Sequence, residues 1–209
     1  MRMDRAYDEE NHPLSERGIK QQNEGLLRRY RDFRRGADAV TAAWRAHPEV
    51  IAVSLIGSAA RTPWKEVPRF EPYRRARIAL WHECKDVDLA LWLDHMDSLD
   101  TLRRARARAL RSLWDEAAIG IASHQVDVFI LEPVTDRYLG RLCDFNACPK
   151  GKAECRVPGC GDVALLRQHE GFRWRAESLA EGRAVRLFER STGLQCRASD
   201  LPLLEVDAG

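Results

Sequence analysis

The sequence predicts an α/β or α+β fold in which a β-sheet is flanked by helices. Three observations carry that prediction. Apolar, β-branched runs lie from Val50 to Gly57-Ser58, from Lys85 to Leu93 and from His124 to Leu131, and each reads as a strand. Apolar residues recur at helical spacing in two stretches, Leu26, Leu27, Tyr30, Phe33, Ala37 and then Leu102, Ala109, Leu110, Leu113, Ala117. Four of the six cysteines fall within 18 residues, between the last of these strands and the C-terminal segment, and mark an insertion.

Taken in order, residues 1–13 read as a polar tail. Residues 14–46 read as one or two helices, with Gly36 as a break and Val40 and Trp44 on one face. Pro48 marks entry to the first strand. After the second strand, Ser98 or Asp100 caps a helix to about Ala118, and Gly120 ends it. The other face of that helix carries Arg103, Arg104, Arg106, Arg108 and Arg111, which read as solvated surface. The domain reading is a core over 14–136 with N-terminal helices, a cysteine-rich insertion at 137–165 and a C-terminal segment, 166–209, that returns to the core sheet.

The chemistry concentrates in carboxylates. Asp86 and Asp88 are two residues apart at the start of a strand, so both point to one face. Close carboxylates repel unless one stays protonated or a cation lies between them. Oxygen ligands of this kind suit Mg²⁺. Asp127 sits inside a β-branched, aromatic run, where an unpaired charge is costly, and it faces the same cation if its strand lies beside the first. Upstream, Gly57 lets backbone approach a ligand closely. Ser58 adds a hydroxyl and an N–H at the same turn, and Arg61 is a cation close by in sequence. Lys85 reads as a surface lysine.

This order, an apolar strand ending in Gly57-Ser58, a strand with Asp86-x-Asp88, then a strand with Asp127, resembles the DNA polymerase β-like nucleotidyltransferase superfamily. The nearest likeness is to its small bacterial members, which often end in a strand similar to Gly182–Arg190 here. The resemblance covers roughly residues 37–131 and 182–190. It implies a mixed β-sheet flanked by helices and Mg²⁺-dependent transfer of a nucleotide, AMP from ATP, to an unidentified acceptor that is a small molecule, RNA or protein. It implies that Asp86 and Asp88 hold the ion on the triphosphate, that Asp127 joins them on a second ion and takes the acceptor's proton, and that Gly57, Ser58, a helix starting near Ala59 and Arg61 meet the phosphates. One departure stands out. Between Gly57-Ser58 and the acid pair lie 27 residues, where small family members have a short turn and helix, so an insertion is expected around Pro63 to Arg77. Within it Arg69, Arg74, Arg75 and Arg77 cluster. The rival reading keeps the fold but not the activity: an antitoxin-like or nucleic-acid-binding module that acts through a zinc lobe and arginines.

Cys143, Cys148, Cys155 and Cys160, with Pro and Gly turns among them, are expected to hold a structural Zn²⁺, with His169 as a substitute ligand. Cys84 and Cys196 read as ordinary buried residues. No run approaches a membrane span, and the basic N-terminus is followed by no apolar stretch, so a cytoplasmic protein is expected. A net charge of +2 makes no global case for nucleic acid.

Overall fold

A seven-stranded mixed sheet organises the chain, in the order β7-β6-β5-β4-β1-β8-β9. The strands are β1 (Val50–Ile56), β4 (Val87–Leu93), β5 (Val126–Leu131), β6 (Tyr138–Leu142), β7 (Leu166–Arg167), β8 (Val185–Glu189) and β9 (Gly193–Leu194). In this computed structural model residues 13–145 and 157–203 are described, so the expected polar tail lies outside them apart from Pro13. β4 and β5 are parallel; the other neighbours are antiparallel. A parallel pair needs a crossover, and helix α3 (Leu99–Ala117) supplies it.

Helix α1 (Glu16–Trp44) is continuous. Ser15 caps it, its side chain accepting from the Gly18 N–H at 3.0 Å. Gly36 does not break it. That glycine is buried where a Cβ would press on Ile121, so what it provides is close approach. Tyr30, Phe33, Ala37, Val40 and Trp44 form the buried stripe, and the Trp44 indole donates to the Leu102 carbonyl of α3 at 2.9 Å. The two helices pack together on one sheet face, over Val53, Leu55, Leu89, Leu91, Val128 and Ile130. Period-two alternation sends Ala52, Ile56, Ala90, Trp92, Phe129 and Leu131 to the opposite face, where Phe172 and Trp174 lie against them.

α3 corrects the picture of a wholly solvated arginine face. Arg106 is 1% exposed; it donates to the Val126 carbonyl at 2.9 Å and pairs with Asp144. A buried guanidinium is tolerable because those oxygens replace water. The helix stops at Ala118, which takes the left-handed conformation (φ 54°), two residues before Gly120.

The long gap after β1 folds as a small outwork: β2 (Lys65–Glu66) pairs with β3 (Leu80–Trp81), and a short helix, α2 (Glu71–Arg75), lies between them.

The fold is therefore α+β, a mixed sheet flanked by helices, but the expected zinc-binding cysteine insertion is overturned. Cys143 follows β6 directly, its N–H donating to the Leu165 carbonyl at 2.8 Å, and it is buried in the main apolar core. A sulfur surrounded by apolar side chains acts as a small hydrophobe. Cys160 is a free thiol in a turn. Cys148 and Cys155 lie outside the described residues. Among the described residues, the groups that place three possible ligands together include no cysteine and no histidine.

Candidate functional site

The sheet register assembles three carboxylates. Asp88 on β4 is paired with Ile56 on one side and with Asp127 of β5 on the other. Asp86 immediately precedes β4, two residues from Asp88 and on the same face. One oxygen from each of Asp86, Asp88 and Asp127 lies within 4.8 Å of the others. Each acid is half-buried. The three come from different parts of the chain, and the parallel pairing of β4 with β5 is what joins them.

The glycine turn completes the site's edge. Gly57 follows β1 directly with φ 72°, and a Cβ there would run into the Asp88 carboxylate. Only glycine meets both demands at no cost. Ser58 comes next, its Oγ 3.1 Å from Cys84 Sγ, and Cys84 in turn lies 3.2 Å from the Asp86 carbonyl. Cys84 thus ties the turn to the acid pair, and burial pushes its thiol up to about 11. The expected helix at Ala59 is not there: residues 57–61 form bends and a turn. The turn therefore presents N–H groups and side chains without a helix dipole.

Two residues of α1 hold the turn in shape. The Tyr30 hydroxyl shares its one proton between the carbonyls of Ser58 and, at 2.7 Å, Arg61. Arg34 is wholly buried and donates to the Ala59 carbonyl at 3.0 Å and the Arg61 carbonyl at 2.8 Å. Carbonyls of a buried loop need such donors. Arg61's own side chain is exposed and stacks on Trp64, 4.5 Å from the ring centre.

The electrostatics favour a cation. Burial first, then the charges of Asp86 and Asp127, push Asp88 up to about 7. Burial and the Asp127 charge also raise Asp86. A divalent ion among these oxygens would reverse both effects. Around one octahedral Mg²⁺, cis oxygens stand about 3.0 Å apart and trans oxygens about 4.2 Å, so the three carboxylates would draw in around a bound ion. An all-carboxylate donor set is that of a hard ion, so Mg²⁺ fits these residues.

Arg141 of β6 is a member of the site that nothing in the linear sequence indicated. Its guanidinium donates to Asp127 at 2.8 Å and sits 4.4 Å from the Phe129 ring centre and 4.8 Å from that of Phe172. The register places Arg141 opposite Phe129, and that pairing becomes apparent only once β5 and β6 meet. Tyr30 carried a weak signal, since a tyrosine in a buried helical stripe needs a partner for its hydroxyl. Arg34 carried none.

On the β1 side, a cleft of about 730 Å³ opens between α1 and the β2–β3 outwork and reaches Ser58, Lys85 and Asp86. That is the size of a small-molecule site. None of the described helices is long and apolar enough to cross a membrane. The chain matches no protein-family model, no curated protein and no solved structure.

Proposed function

We propose that the chain is a metal-dependent nucleotidyltransferase of the DNA polymerase β-like kind, moving AMP from ATP to an acceptor. The observation that supports this most is the convergence of Asp86, Asp88 and Asp127 beside the Gly57-Ser58 turn. The acceptor oxygen attacks the α-phosphorus, the bond to the β-bridging oxygen breaks, and pyrophosphate leaves. Divalent ions, when bound, offset phosphate charge in such a transfer. Asp86 and Asp88 orient the triphosphate side, and Asp127, on the next strand outward, takes the acceptor's proton. The Gly57-Ser58 backbone, held by Tyr30 and Arg34, lets the phosphates approach without a side chain in the way. Arg141 pairs with Asp127 and holds that carboxylate in place, and its charge reaches Asp86 and Asp88 as well.

The test is ATP labelled on its α-phosphate, incubated with Mg²⁺, the protein and either a lysate or the protein alone. Label should move to an acceptor with wild type and not with Asp86→Ala. A wild type that binds Mg²⁺–ATP no better than Asp86→Ala defeats the reading. The absence of a helix after Ser58 favours one rival, a binding module on the same fold. For that rival the same assay shows no metal-dependent nucleotide binding.

A further inference from the structure

The outwork that separates this chain from the pattern it resembles builds the wall of a cleft, and its residues are of a particular kind. The cleft's inner end is Ser58 and Asp86, and above them stand Arg69, Phe70, Trp81 and Lys85. Lys85 and Arg69 are both exposed, and the Lys85 charge acts on the neighbouring Asp86 carboxylate. Phe70 is 53% exposed although large and apolar. It occupies the cap position of α2, where its side chain makes no capping bond and an Asp or Ser would serve the helix better. Neither helix nor core explains Phe70. Trp81 is partly covered by Lys65, 5.1 Å from its ring, which leaves Phe70 as the open aromatic face.

Sheet order gives the cleft a direction. Across the sheet the sequence is the glycine turn after β1, then Asp88 on β4, then Asp127 on β5. The cleft is lined by Ser58 and Asp86, and Asp127 is not in its lining. Resting on the nucleotidyl-transfer reading, the geometry points to this cleft as the seat of the nucleoside triphosphate, with Lys85 and Arg69 on the phosphates and Phe70 stacked on the base. The acceptor then enters from the β5 side. Two exposed cations beside the Gly57-Ser58 turn suit a polyphosphate, and an exposed ring in the same cleft suits a planar base.

Calorimetric titration with two probes, Mg²⁺–ATP and Mg²⁺–inorganic triphosphate, separates the parts. The proteins are wild type, Phe70→Ala, Lys85→Ala and, as a control on an unrelated exposed ring, Trp114→Ala. Phe70→Ala should weaken ATP about tenfold and leave inorganic triphosphate unchanged. Lys85→Ala should weaken both, and Trp114→Ala neither. Phe70 is exposed, so its loss does not threaten folding. If Phe70→Ala and wild type bind ATP equally while wild type still needs Mg²⁺, the seat is wrong and the reaction stands. A wild type that binds neither probe overturns both.

Discussion

Leu89, Leu91, Val128 and Ile130 lie beneath α1 and α3 and are fully buried; the residues between them on the same two strands, Asp88, Ala90, Asp127 and Phe129, face the other way. The first face is apolar without exception and stabilises the fold by burial. The second gathers three acids that repel one another and pays for it in stability. A single alternation of side chains thus divides one sheet into a half that holds the molecule together and a half whose acids repel one another until a proton or a cation offsets the charge. Substitutions on the two faces should therefore have opposite signatures.

The largest expected effect is on the covered face. Leu89→Ala should destabilise by about 2–5 kcal/mol in urea denaturation, through lost burial and the cavity left behind. Next is the junction between faces. Gly57→Ala must hold a left-handed backbone and displace the Asp88 carboxylate, and it should cost about 2 kcal/mol. It should also weaken Mg²⁺–ATP binding. Asp88→Asn should act in the opposite sense. Without metal at pH 8 it removes a half-buried, repelled charge and should raise stability by about 1–2 kcal/mol, roughly 4 °C in melting temperature. A melting temperature that falls instead breaks the comparison.

The same logic gives a pH dependence. Asp88 titrates higher in the folded protein, about 7, than in the unfolded chain, so the native state binds the proton more tightly. Metal-free stability from this group is greatest in acid and is lost as pH rises toward and through 7. Mg²⁺ should accordingly raise the melting temperature at pH 8 and do little at pH 5. The smallest effect is expected at the turn's support. Tyr30→Phe removes the donor to the Ser58 and Arg61 carbonyls and should cost about 1 kcal/mol, read by thermal melting.

Much of the carboxylate face was legible in the chain because its signal is local. Asp86 and Asp88 share a face by strand geometry alone, and Asp127 stands out as an acid in an apolar run. Other parts depend on pairing between distant segments. Arg141 enters the site through the register of β6 on β5, and Arg34 reaches the glycine turn across 25 residues of sequence. Cys143 misled because spacing alone does not report burial. Cys143 looks like a ligand in the sequence and is a core residue in the fold. Arg106 misled in the same way, its charge reading as surface while two oxygens hold it inside. The helix expected at Ala59 was displaced by a turn whose carbonyls are already satisfied by Tyr30 and Arg34.

The central claim is that the three acids hold a divalent ion on which a nucleotide is seated. The direct measurement is the affinity of ATP for wild type and Asp88→Asn, each with Mg²⁺ and with chelator. Tight binding only for wild type with Mg²⁺ is the predicted result. Equal binding across all four conditions would contradict it.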